Sequence, residues 1–314
     1  DLINKIMDKQ KSEEVISLSK KIDENTQKAI GIKLMEQMEF NFDRGRLDKS
    51  VHPFCIGSND DVRITTRYNE NYFLSSLFGV VHETGHALYQ QNLPAKYRNQ
   101  LVGGPKGMSF HESQSLIMEN QVGTSRSFME YLAKMLKDEF SFSDPEYSAD
   151  NLYKLVTRVK PSFIRVDADE ATYPLHVILR FEIEEAIIEG NLRAFELPEL
   201  WNSKMQEYLG IVPDSDADGC MQDLHWPSGY LGYFPSYTNG AIIASMLMKK
   251  AKEVNSSIDA EISKGSFKSL NQYLTENLRG YGYSKNSADL LEVSTGHNMI
   301  QPTIFTDYLK AKYL

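Results

Sequence analysis

A mainly α fold, one large helical domain carrying a small β-sheet, is what the sequence predicts, on three observations. Apolar residues recur at helical spacing through most of the chain. Strand-like alternation is confined to two short stretches, and no repeat, low-complexity tract or linker divides the 314 residues. The balance of 41% hydrophobic to 25% charged residues is that of an ordinary globular chain with enough apolar material for one large core.

Taken in order, the chain opens with DLINKIMDKQ, a charged amphipathic helix without an initiator Met or an apolar signal core. That opening reads as the interior of something longer. Ile30, Leu34 and Met38 recur every four residues and mark a second helix. DVRITTRYN (Asp61 to Asn69) alternates β-branched and polar residues and is expected as a strand; PSFIRVDAD (Pro161 to Asp169) alternates more briefly and is expected to add to the same small sheet. Leu74, Phe78, Val81, Gly85 and Leu88 form the stripe of an apolar helix. Further stripes run through SLIMENQVGTSRSFMEYLAKML, YPLHVILRFEIEEAIIEG, NGAIIASMLMKKAKEV and SLNQYLTENL. Gly, Pro and Asp punctuate the connectors VGGPKG, FSDPE, IVPDSDADG and WPSGYLGYFPSYTNG.

Several function classes are disfavoured. With 34 basic residues spread among 43 acidic ones and a net charge of -9, no basic stripe offers a surface for nucleic acid or an anionic membrane. No window approaches the apolar length of a membrane span. Two cysteines, Cys55 and Cys220, lack metal-ligand spacing and suit a reducing, cytoplasmic compartment.

The chemistry concentrates in VVHETGHALYQ, Val80 to Gln90. On a helix, residues four apart lie about 40° apart around the axis and about 6 Å along it, so His82 and His86 aim two imidazoles at one point. Glu83 is offset by about 100°, which suits a general base rather than a ligand. Burial of the pair on an apolar helix demands partners, and a metal ion supplies them; two satisfied core histidines are the competing reading. A catalytic site of this type needs a third protein ligand. The metzincin extension is excluded, since Tyr89 and Asn92 stand where it requires glycine and histidine. The helix in FHESQSLIMEN offers Glu112, His111 and Glu119, which spacing alone does not separate.

Further along, HWPSGYLGYFPSY gathers His225, Tyr233 and Tyr237 in a glycine-rich stretch able to approach a substrate backbone, so these are candidate donors to a developing oxyanion. Packing is the competing role for the tyrosines. Asp214, Asp216, Asp218 and Gly219 imitate the start of a calcium loop, but His225 stands where the bidentate Glu belongs, so an acidic solvated loop is expected there.

HPF (52 to 54), DVRITTR (61 to 67), HETGH (82 to 86), HESQS (111 to 115), IRVDADE (164 to 170), GCMQDLHW (219 to 226) and GYFPSY (232 to 237) together resemble the thermostable-carboxypeptidase family, the M32 metallocarboxypeptidases. Seven ordered motifs across nearly the whole chain are far more specific than the histidine pair alone. The resemblance implies a helical peptidase domain with an active-site groove. It implies His82, His86 and Glu112 as ligands of zinc or, in some members, cobalt, with Glu83 as base, and it favours Tyr237 and His225 among the oxyanion donors. The substrate implied is a peptide with a free C-terminus. Arg165 in IRVDADE is then the residue for the terminal carboxylate, a role its planar fork suits; an ion pair with Asp167, Asp169 or Glu170 is the competing expectation. A homodimer is suggested by the resemblance alone. Full-length members carry additional helices before the point matching Asp1, which help to wall the groove. An internally cutting metallo-oligopeptidase and a non-catalytic helical metal-binding fragment are the two other readings.

Overall fold

The thirteen α-helices and three strands follow from periodicity, burial and one nonlocal pairing. The computed structural model describes residues 1–314. In chain order the elements are α1 (Leu2–Gln10), α2 (Glu24–Gln37), β1 (Gly45–Lys49), β2 (Phe54–Ser58), β3 (Asp61–Thr66), α3 (Phe73–Gln91) and α4 (Gly107–Leu116). A π-helical segment, Ile117–Gly123, continues α4. Then come α5 (Arg126–Phe140), α6 (Ala149–Val156), α7 (Tyr173–Ile188), α8 (Leu197–Leu209), α9 (Pro235–Val254), α10 (Ile258–Ile262), α11 (Lys268–Asn277), α12 (Ser287–Thr295) and α13 (Pro302–Tyr313). By internal contacts they fall into two compact units, one of Asp1–Glu13, Thr157–Asn239 and Asp307–Leu314, the other of Glu14–Val156 and Gly240–Thr306.

The second unit is built around α3. Apolar residues are spread around most of its circumference, and Ser75 alone among its residues is exposed. Val80 and Ala87 pack on the sheet with Leu47, Val62 and Ile64. Leu74, Leu77, Val81 and Leu88 face the larger core formed with α5, α9 and α11, through residues such as Phe128, Leu132, Leu247 and Leu270. The sheet has the order β1-β3-β2, with β1 parallel and β2 antiparallel to β3. Strand β3 lies where DVRITTRYN predicts it, with Val62 and Ile64 turned inward.

In the first unit α7 and α8 enclose a smaller core of Leu179, Ile183, Trp201, Met205 and Leu209. PSFIRVDAD is not a strand. It is irregular, with a single 3-10 turn at Arg165–Asp167. Side chains rather than a neighbouring strand satisfy its backbone: Gln222 Oε1 accepts from the Arg165 amide at 2.8 Å, and Asp169 accepts from the amides of Lys160, Ala171 and Thr172. The same carboxylate thereby fixes the entry into α7.

Candidate metal centre

His82, Glu83 and His86 ride on the central helix α3, and Glu112 comes from the middle of α4. What brings the two helices together is the lack of a side chain at Gly85. A Cβ there would stand 2.2 Å from the carbonyl oxygen of Gln114 and 2.6 Å from the Cα of Ser115. Glu112 is confined from the other side by Gly240 of α9, whose added Cβ would lie 2.8 Å from both Cβ and Cγ of the glutamate. The loop into α4 is tied down as well, since the Lys106 amide donates to the buried Tyr89 hydroxyl at 2.9 Å. Beneath α4, the buried Arg279 donates to Gln114 Oε1 at 2.8 Å.

The ligand atoms of His82, His86 and Glu112 all lie within 4.8 Å of one another, and His86 Nε2 stands 3.5 Å from Glu112 Oε2. Each imidazole has its other nitrogen engaged. His82 Nδ1 meets Glu119 Oε2 at 2.7 Å, and His86 Nδ1 lies 2.6 Å from His111 Nδ1 and 3.1 Å from the His111 carbonyl oxygen. With Nδ1 donating in both rings, both Nε2 lone pairs are left as donors to an ion, the arrangement that orients metal-binding histidines. Two imidazoles and a carboxylate suit a divalent transition ion.

The two histidines differ electrostatically. Burial holds the His82 ring down, but the charge and hydrogen bond of Glu119 outweigh it and lift the pKa to about 10. Burial, then repulsion from His82 and His111, keeps His86 well below the usual range. His111 is held to about 4 by burial and by His82. An ion at this centre therefore competes with a proton at His82 and releases it on binding. Burial pushes Glu83 up to about 7, with His82 opposing and Glu112 and Glu119 reinforcing. Its charge reaches β2, where burial and Glu83 together push the Cys55 thiol up to about 12.

Of the three residues that spacing offered as a third ligand, only Glu112 belongs to the convergent set. Glu119 is the acceptor behind His82, and His111 packs its ring 4.5 Å from that of His86 while Gln90 reaches its Nε2 at 3.1 Å. Replacing Glu119 with alanine is expected to weaken affinity for a divalent ion by about 10- to 100-fold, because His82 loses the partner that fixes its ring. A metal titration of that variant against the parent chain reads this directly, and equal affinities would refute it.

The remaining candidates gather within the first unit. His225 Nε2 lies 3.0 Å from the Tyr237 hydroxyl, and the Tyr233 ring stands 5.4 Å from His225 and 5.5 Å from Tyr237. Burial, then the charge of Arg165, keeps His225 below its usual pKa. Arg165 is buried, and its partner is none of the acids beside it. Nε and Nη2 both donate to Asp223 Oδ1, at 3.0 and 2.8 Å, while Asp169 serves backbone amides and Glu170 pairs with Lys312 at 2.5 Å.

Three residues escaped the sequence reading: Arg180, Tyr173 and Glu184. Tyr173 Oη lies 2.5 Å from Arg165 Nη1. Glu184 accepts from Trp226 Nε1 at 2.7 Å and from the Gly232 amide at 3.1 Å, which pins both ends of the segment between His225 and Tyr233. The available signal was the charge of Arg180 and Glu184 inside the apolar stripe VILRFEIE, since buried charges are paired.

Comparison with known proteins places this architecture. The model of the Carboxypeptidase Taq (M32) metallopeptidase family matches residues 1–313. Carboxypeptidase 1 of Bacillus subtilis (strain 168) is 40% identical over 297 residues, which cover 94% of this chain and 59% of that protein. Thermostable carboxypeptidase 1 of Thermus thermophilus is 35% identical over 314 residues, covering 99% of this chain and 61% of the relative. Among solved structures, Trypanosoma cruzi metallocarboxypeptidase 1 superposes with a TM-score of 0.96 at 40% identity, over 99% of this chain and 65% of that one. The chain thus spans about three-fifths of the length of its curated relatives. A family match that runs from the first residue to the last but one, on a fold shared at that identity, means that the chain belongs to the carboxypeptidase Taq (M32) family of metallopeptidases.

Proposed function

We propose that this chain is the metal-binding portion of a zinc-dependent carboxypeptidase, which removes C-terminal residues from peptides, with cobalt able to replace zinc. The observation that carries the reading is the convergence of His82, His86 and Glu112 ligand atoms within 4.8 Å, next to a buried glutamate on the same helix. Residues 1–314 act in it as one peptidase domain. In line with the family resemblance and the two free cysteines, the protein works in the cytoplasm as a homodimer.

In this reading His82, His86 and Glu112 hold the ion, which when bound polarises the scissile carbonyl and acidifies water. Glu83 takes the proton of the attacking water and delivers it to the leaving amine from its buried place on α3, one residue after His82. Tyr237, tied to His225 through its hydroxyl, and Tyr233 beside it are the donors to the oxyanion. A neutral His225 can accept from Tyr237 or donate to it, so it orients that hydroxyl. Arg165 receives the substrate's terminal carboxylate.

The test compares one peptide with a free C-terminus and the same peptide amidated, each with added zinc or cobalt and with a chelator as control. Chelator-sensitive loss of the last residue from the free peptide only is expected. Internal cleavage of the amidated peptide would replace this reading by an oligopeptidase, and no chelator-sensitive hydrolysis of either would remove it for this chain.

A further inference from the structure

The ion pair between Arg165 and Asp223 raises a difficulty: an arginine already neutralised by a carboxylate has little attraction left for another. Arg180 removes it. Asp223 presents Oδ1 to Arg165 and Oδ2 to Arg180 Nε, the latter at 2.6 Å. No side chain of the three is more than 8% exposed. Two guanidiniums therefore share one carboxylate, and the acids around them are engaged elsewhere. Asp169 accepts from backbone amides, Glu170 pairs with Lys312, and Glu184, one turn on from Arg180, accepts from Trp226 and Gly232. Gln222, which accepts from Arg180 Nη2 at 2.8 Å, is uncharged. His176 and His225 are neutral, His176 held to about 3 by burial and then by Arg180. Asp223 is thus the one carboxylate that touches the two guanidiniums, and two buried cations on one anion are a costly arrangement unless a further anion completes it.

We infer that Arg180 is a specificity-determining positioning residue: by neutralising Asp223 it keeps the charge of Arg165 available for a carboxylate ligand. The inference rests on the carboxypeptidase reading and deepens it, since it explains why an ion-paired arginine still selects a free C-terminus. Arg180 does not touch the ligand. It is fully buried, with its guanidinium 4.6 Å from the Trp201 ring and 5.4 Å from the Phe234 ring, and acts through Asp223. The end of Arg165 that Asp223 leaves unused is Nη1, beside the Tyr173 hydroxyl and 5.0 Å under the Tyr237 ring measured from Cζ. A carboxylate there gains a charge-assisted bond from Nη1.

Binding of N-acetyl-phenylalanine and of its amide to the 314-residue chain, read by calorimetry or ligand-observed NMR, tests this with Arg180→Met and the double variant Arg180→Met/Asp223→Asn. The parent chain is expected to prefer the acid. Arg180→Met leaves a neutral pair and is expected to lose about tenfold or more in affinity for the acid and nothing for the amide. The double variant restores one net charge and is expected to recover acid binding to within about threefold of the parent, a rescue that a packing role does not produce. Failure of that rescue, or an Arg180→Met chain that folds and binds the acid like the parent, overturns the inference. If Arg180→Met does not fold, as judged by its thermal melt, Asp223→Asn alone decides. It raises the local charge and should bind the acid at least as tightly as the parent, and a tenfold loss, about the size of one charge-assisted bond, overturns the inference. Binding and hydrolysis are read separately, so charge-dependent acid binding by a chain that hydrolyses nothing supports the inference while removing the peptidase reading. Equal binding of acid and amide by the parent overturns the inference itself.

Discussion

Glu83→Gln is expected to lower kcat by about a hundred- to ten-thousandfold while leaving the fold and the bound ion in place. The side chain keeps its volume on the buried face of α3, so the packing against the sheet survives. What disappears is the only group on that helix turn able to take a proton from water and return it to an amine. Glutamine at this place also removes one negative charge beside His82, Glu112 and Glu119, a small change for an ion held by the three proposed ligands, all of which remain. Metal content, thermal melt and kcat measured together separate the effects. A variant that keeps its ion and still hydrolyses within tenfold of the parent, well short of what a general base contributes, would mean that the proton passes through another group.

Gly85→Ala should damage stability and the metal centre together. Both backbone atoms facing the new methyl, at 2.2 and 2.6 Å, belong to α4, so no side chain can move out of the way and the helices themselves must part. Overpacking of this kind costs roughly 2 to 3 kcal/mol. The displaced helix carries Glu112 two residues before Gln114, so loss of stability should be accompanied by loss of metal affinity. Denaturant melts in the presence of a chelator isolate the first effect, and a metal titration reads the second. An unchanged midpoint together with unchanged affinity would show that the two helices have slack that the distances deny.

The sequence displays the long helices clearly because each has a one-sided or all-round apolar pattern, and α3 is the strongest case. Two strands left no such trace. GRLDK buries one apolar residue, Leu47, and FCIGS is exposed along most of its length, so β1 and β2 exist because β3 pairs with them rather than because of their own pattern. PSFIRVDAD had the alternation without a partner strand, and Gln222, far along the chain, took up its backbone instead. The centre was legible where it is local. Residues at 82, 83 and 86 announce themselves by spacing, whereas the choice among Glu112, His111 and Glu119 depends on how α4 lies against α3. Arg165 shows the same limit: the acids next to it in sequence drew the expectation of a pair, but chain geometry gave its partnership to Asp223, 58 residues away.

The π-helical winding of Ile117–Gly123 bears on how this protein can change its length. The wide turn keeps Ile117, Met118 and Val122 in the core while Glu119 reaches His82. Each residue of an ordinary helix advances the face by about 100°, so losing a single codon between Glu112 and Glu119 would swing the carboxylate away from His82 even as it restored regular winding. Insertions and deletions should therefore be excluded from the stretch between the two glutamates, and deletion of Ile117 or of Met118 alone should yield folded chains that no longer hold His82 in place.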